Sequence, residues 1–173
     1  MEILENYTAW RTTFHQGWLA HVEETGKIDW DLYNRPRNSE GPAGPGIDLA
    51  ASRLMFITTS GAYLPGEQAP FDAANPLGDY TIRTIPVSTP SAAMAYAHEH
   101  YDRAAVEQDD QVLIPLGHLK EMVTEGAIGE LAPSMVSFMG YQPDVSRVVD
   151  EMIPAILEVA RAEGAQAALL VPA

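Results

Sequence analysis

The chain contains no cysteine. That removes disulfides, thiolate nucleophiles, zinc–thiolate centres and iron–sulfur clusters from its own chemistry, whatever its compartment. Lysine is nearly absent: Lys27 and Lys120 stand alone, and ten basic residues face 24 acidic ones, a formal charge of −14. Nucleic acid and anionic membranes are excluded as expected partners, because binding either rests on Lys and Arg meeting phosphate. The acidic surface serves solubility. No apolar run approaches the roughly 18 residues a membrane span needs. The opening Met1-Glu2-Ile3-Leu4-Glu5 lacks the basic and apolar regions of a signal peptide, so the expected location is cytoplasmic. A Walker loop, a dinucleotide glycine fingerprint and a nucleophile elbow are all missing. The Gly-rich stretch from Pro42 to Gly46 precedes no strand–helix unit of the right length to serve as a phosphate loop.

What is present is ordinary globular composition, 46% hydrophobic and 20% charged over 173 residues, room for one domain or a domain with an extension. Residues 1–33 carry all three tryptophans, Trp10, Trp18 and Trp30. Tyr7, Trp10, Phe14 and Trp18 recur at spacings of three and four, an amphipathic helix that packs on the body or on another subunit. Arg35-Pro36-Arg37 and the Pro/Gly run after it forbid a continuing helix. The expected division is an aromatic helical arm with linker over 1–48 and a body over 49–173.

The body reads as α/β. Arg53 to Thr59 is a short apolar run closed by Ser60-Gly61, a buried strand and turn. Tyr80 to Ile85 alternates as a second strand, and Ser91 could cap a short helix through about His98. Val112 to Pro115 reads as a strand or as the entry to a helix over 116–125. Ser134 to Met139 is a further strand. Residues 144–163 form the clearest helix, with Asp144 as cap, an apolar face from Val145 to Ala160 and Gly164 as stop. Ala167 to Val171 is a final buried strand. Alternating strands and helices imply a mostly parallel sheet with helices on both faces, plus the N-terminal arm.

In open parallel sheets ligands bind beyond the carboxyl ends of the strands. That rule points to Thr58, Thr59, Ser60 and Gly61, whose hydroxyls and backbone N–H groups could hold a carboxylate; equally, the threonines could be strand residues and Gly61 a turn residue. His98, Glu99, His100, Tyr101 and Asp102 contain an H-x-H-x-D pattern. If extended, His98, His100 and Asp102 share a face and could ligate a divalent transition metal. If His98 ends a helix, the two rings point about 200° apart and cannot chelate. His118 lies near the same sheet edge and could join them as acid, base or ligand. Asp79 and Arg83 form either a structural ion pair or a site in which Arg83 takes a substrate carboxylate.

These segments together resemble the selenoprotein B family of glycine, sarcosine, betaine and D-proline reductases, particularly the smaller selenocysteine-bearing subunit of D-proline reductase. The resemblance is carried in order by Phe56 to Ala62, Pro70-Phe71-Asp72, Gly78 to Pro86, His100-Tyr101-Asp102, Gly126 to Gly129 and Ser137 to Tyr141. It implies an α/β subunit of an enzyme that cleaves a carbon–nitrogen bond reductively, with selenocysteine or cysteine as nucleophile just after the strand matching Ala168 to Ala173. This chain has neither residue and ends about where the redox loop is expected to begin.

Three function classes follow. The first is a subunit of a reductase-like complex acting on a small amino-acid or amine substrate, with the pocket here and the redox cysteine or selenocysteine on another chain. The second is a stand-alone lyase or hydrolase using His98, His100 or His118 with Asp79 or Asp102, with or without a metal. The third is a non-catalytic binding or assembly subunit. The expected partners are a small-molecule substrate and either further copies of the chain or a redox-bearing subunit. No organic cofactor is indicated.

Overall fold

The computed structural model describes residues 3–41, 43–97, 106 and 108–173. Its centre is β1 (Arg53–Thr58), of which five of six residues are buried. β7 (Ala167–Val171) runs parallel to β1 along one side, in register from Leu54↔Ala167 to Thr58↔Val171. On the other side two short strands share one position. β5 (Glu130–Leu131) pairs with the amino end of β1 and β6 (Ser134–Ser137) with its carboxyl end, both parallel. Pro133 explains the break, since it has no N–H to give to a ladder. β3 (Arg83–Pro86) closes that flank antiparallel to β6. A separate ribbon pairs β2 (Ala62–Tyr63) with β4 (Ala95–Tyr96).

Alternation along β1 builds a core on each face. Leu54 and Phe56 join Ile85, Met135, Leu116 and Leu119, the last two from α3 (Leu116–Thr124). Met55 and Ile57 join Val136 and pack against Ile156, Val159 and Ala160 of α5 (Ile153–Ala162). Helices therefore cover both faces of a mostly parallel sheet, as the sequence pattern implies.

The arm is a helix that changes pitch. α1 (Tyr7–Phe14) passes through a wide π turn (His15–Leu19) into α2 (Ala20–Thr25). Trp10, Phe14, Trp18 and Val22 fall four residues apart and are all buried. In a regular helix each such step drifts by roughly 40°. The wide turn takes back that drift and keeps the four on one face. They pack against Leu77 and Val145 of the body, and Tyr33 donates its hydroxyl to the Pro143 carbonyl at 2.8 Å. A second π turn (Val148–Met152) links α4 (Val145–Arg147) to α5. Pro154, in the first turn of α5, cannot donate to the carbonyl four residues back, and the helix widens just before it.

Three expectations change and one open alternative is decided. The 80–85 strand begins only at Arg83, because the Asp79 side chain accepts the Thr81 N–H and holds that stretch as a turn. Ser91 opens a short 3-10 turn (Ser91–Ala93), with Pro90 in the cap position and no side-chain cap, and β4 follows in place of a helix. Val112 closes another 3-10 turn (Asp110–Val112), so 112–115 is a helix entry and not a strand. β7 is not buried: among the described residues it pairs with β1 alone, and Leu170 is 64% exposed.

Candidate functional site

The winding of the sheet reverses between β1 and β6. From β1 the chain reaches β5 and β6 by way of α3 on one face; from β6 it crosses the other face through α4 and α5 to reach β7, beyond β1. The edge outside the carboxyl ends of β1 and β6 is thus the switch point, the position at which such sheets bind ligands.

Register fixes what stands there. Arg83 pairs with Ser137, Ser137 with Thr58, and Thr58 with Val171. Neighbours in register share a face, so Arg83, Ser137 and Thr58 form a row spanning three strands, about 10 Å from first to last at the usual strand spacing. Thr58, Ser60 and Ser137 are buried. The Ser137 hydroxyl has no hydrogen-bond partner among the described residues. Buried hydroxyls ordinarily find one. Ser137 joins this candidate row only through register across β6, which no local spacing reveals.

The backbone of the turn is not available to a ligand. Thr59 N–H donates to the Val171 carbonyl at 3.2 Å and Gly61 N–H to the Phe138 carbonyl at 3.1 Å. Ser60 N–H donates to Thr58 Oγ1 at 3.1 Å. Thr59 Oγ1 accepts from the Ala173 N–H at 2.7 Å. The expectation of free amides here is corrected: the turn spends them on stitching β1 to its neighbours. Gly61 has φ +66, the left-handed conformation that favours glycine.

Asp79 and Arg83 do not form a direct ion pair. The Asp79 carboxylate accepts the N–H groups of Asp72 and Thr81 and the Thr81 hydroxyl. Partial burial alone raises its pKa, but these donors and the nearby Arg83 charge outweigh it and leave the group below its ordinary value. Arg83 donates Nε to the Ala69 carbonyl and Nη1 to Thr81 Oγ1 and the Ile82 carbonyl. Its guanidinium lies 4.2 Å from the centroid of Phe71. Nη2 makes no hydrogen bond among the described residues, leaving one charged donor at the end of the Arg83–Ser137–Thr58 row. The loop after β6 is tied to the same region, as Gln142 Nε2 donates to the Asp79 and Met139 carbonyls, each at 2.7 Å.

His98, His100 and Asp102 lie outside the described residues. Ala97, just before His98, donates its N–H to the Gly61 carbonyl at 3.0 Å, so the chain enters that segment from the turn itself. His118 sits on the first turn of α3, 63% exposed in its side chain and 3.5 Å from Glu121. Among the described residues no group of three or more His, Asp and Glu side chains is placed to hold a metal ion. Among the described residues the arrangement offers buried hydroxyls and one guanidinium donor; it offers no thiol.

The chain belongs to the glycine/sarcosine/betaine reductase selenoprotein B family, whose model matches residues 34–172. Among curated relatives, the D-proline reductase subunit gamma of Acetoanaerobium sticklandii is 28% identical over 123 residues, 71% of this chain and 49% of that protein. The sarcosine reductase complex component B subunit beta of Peptoclostridium acidaminophilum is 29% identical over 110 residues, 62% of this chain and 25% of that protein. The chain thus spans about half the length of the first relative and a quarter of the second. No solved structure matches. No helix among the described residues is long and apolar enough to cross a membrane.

Proposed function

We propose that this chain is the substrate-holding part of a reductase complex that cleaves a carbon–nitrogen bond in a small amino acid or amine, with the redox cysteine or selenocysteine supplied by another polypeptide. The family match over residues 34–172 in a chain without cysteine carries this reading. Reductive cleavage delivers two electrons and two protons, one hydrogen to carbon and one to nitrogen. A thiol or selenol pair can supply both electrons by forming a disulfide or selenenyl sulfide, and these side chains cannot.

What the chain contributes is position. Arg83 Nη2 takes the substrate carboxylate, the Ser137 hydroxyl and the Thr58–Gly61 turn form the floor, and His98 or His100 handles protons where Ala97 brings the chain to Gly61. His118, Asp79 and Asp102 belong to the same proposed constellation, Asp79 acting through the loop that positions Arg83. The test is calorimetric titration of the purified chain with D-proline, sarcosine, betaine and glycine. At least one should bind, and Arg83→Met should weaken that binding roughly tenfold or more, the worth of a charged hydrogen bond. The matching carboxamide, which has no carboxylate to offer Arg83, should lose this dependence on Arg83. The chain with dithiothreitol alone should turn nothing over. Absence of binding by all four compounds, or turnover without a cysteine- or selenocysteine-bearing partner, overturns the reading.

A further inference from the structure

The seam between the arm and the body sets rigid aromatic walls beside an arginine. The Asp29 carboxylate accepts the Asp31 N–H and starts a 3-10 turn (Trp30–Leu32), which ends as Tyr33 N–H donates to the Trp30 carbonyl. Residues three apart eclipse in such a turn, so Trp30 and Tyr33 come to one side. Trp30 stacks on Trp18, with centroids 5.6 Å and planes 27° apart, yet it remains 53% exposed. The rings of Tyr33 and Tyr141 stand edge-on to it, at 5.5 and 6.2 Å. Both hydroxyls are tethered, Tyr33 to the Pro143 carbonyl at 2.8 Å and Tyr141 to the Pro76 carbonyl at 2.9 Å. A ligand therefore spends little on ordering these rings.

Trp30, Tyr33 and Tyr141 line an open hollow of about 380 Å³ together with Arg35. Trp30 and Tyr141 also line a second, of about 510 Å³. Small-molecule sites have such volumes. Arg11, Arg53 and Arg147 each meet an acid, Asp150, Glu130 and Glu151. Arg35 makes no ion pair or hydrogen bond among the described residues, in a chain with 24 acidic side chains. Burial chiefly pushes the Tyr33 pKa up and the Arg35 charge pulls against it, so the guanidinium is close enough for Tyr33 to feel. We propose that this hollow binds a small aromatic monocarboxylate, its ring against Trp30 and Tyr141 and its carboxylate on the Arg35 guanidinium. The planar guanidinium matches a carboxylate through two parallel N–H bonds, and the open indole matches a ring by offset stacking. Charge sets the number of anionic groups. Asp29 and Asp31 flank Trp30 in a chain of −14, so one negative charge is accommodated where a multiply charged phosphate is repelled. The site shares no residue with the Arg83–Ser137–Thr58 row and does not rest on the proposed reductase role.

The test is calorimetric titration of the whole chain with phenylacetate, with acetate as the ringless comparison and phenylacetamide as the uncharged one. Chemical-shift mapping by NMR locates the site. Phenylacetate should bind with a Kd of about 0.1–1 mM, the range open to a ligand this small. Acetate and phenylacetamide should each bind roughly tenfold more weakly or worse. Arg35→Gln removes the charge from a side chain that makes no contact within the fold. It should weaken phenylacetate binding roughly tenfold while the near-ultraviolet circular dichroism of the arm stays that of the wild type. Shifts should centre on the Trp30 indole and on Tyr33 and Tyr141, and leave Ser137 unmoved. Absence of phenylacetate binding up to about 10 mM overturns the proposal. So do equal binding of acetate or phenylacetamide, equal binding by a folded Arg35→Gln variant, and shifts centred on Ser137.

Discussion

Asp79 organises the loop that carries Arg83 to the carboxyl edge, and its removal gives the most direct test of that organisation. Its carboxylate accepts from Asp72 N–H at 2.9 Å, from Thr81 N–H at 2.9 Å and from the Thr81 hydroxyl. A hydrogen bond to a charged group contributes about 1.5–3 kcal/mol when sheltered, and roughly half of that for a group partly open to water. Asp79→Ala should therefore cost about 2–3 kcal/mol, a Tm decrease of roughly 5–10 °C for a chain of this size. The sign of the pH effect follows from the lowered pKa. A carboxylate held below its unfolded value of about 3.9 stabilises the fold above that pH and loses its contribution as pH falls through the lower, folded value. Urea unfolding at neutral pH should separate wild type from Asp79→Ala, and the difference should shrink as the medium is acidified below about pH 4. Equal Tm values at neutral pH, or a gap that does not narrow in acid, would refute the assignment.

Three further outcomes follow from single contacts. Gly129→Ala places a Cβ 2.8 Å from the Ser52 carbonyl oxygen and 2.9 Å from that of Ala50, so it should destabilise by about 1–3 kcal/mol, read by urea unfolding. Tyr80→Phe removes the acceptor of the Asp144 N–H, a 2.6 Å contact at the start of α4, and should cost about 1–2 kcal/mol in the same assay. Trp18→Ala empties the centre of the arm cluster, where Trp18 stacks on Phe14 and Trp30, and should cost about 3–5 kcal/mol with loss of near-ultraviolet circular dichroism. An unchanged Tm for Trp18→Ala would show that the arm contributes nothing to the stability of the body.

The sheet was legible where pattern and burial coincide. β1 is an apolar run bounded by turn residues, and the Asp144 cap and Gly164 stop frame the long helix on either side of its π turn. The failures have tertiary causes. Ser91-Ala92-Ala93-Met94-Ala95-Tyr96 has good helix formers, but pairing of Tyr96 with Ala62 and of Ala95 with Tyr63 draws it into a ribbon. An apolar run such as Ala167 to Val171 reads the same whether both of its edges are paired or one is open. The helix read over 144–163 carries Pro154 in its interior, and the apolar pattern gave no sign of the π turn that precedes it. The turn after β1 was legible too, since Ser60-Gly61 closes the apolar run. The fate of its amides and the alignment of Arg83 with Ser137 depend on which strands lie side by side, and that is fixed by register over more than fifty residues of chain.

The spent amides bear on how a ligand can be recognised. Where a phosphate sits at a switch point, free backbone N–H groups and a helix N-terminus usually hold it. Here Thr59, Ser60 and Gly61 have given their N–H groups to Val171, Thr58 and Phe138, so recognition falls to side chains. A single guanidinium donor at Arg83 suits one carboxylate better than a multiply charged phosphate, and a buried Ser137 hydroxyl can both donate and accept. The proposed substrate, a small zwitterionic amino acid, would present that complement: one carboxylate for Arg83 and, in the proposed scheme, a nitrogen whose protons a histidine handles. The proposed division of labour follows from the same residues, since a site without a thiol can fix the substrate's orientation while the electrons arrive from another polypeptide.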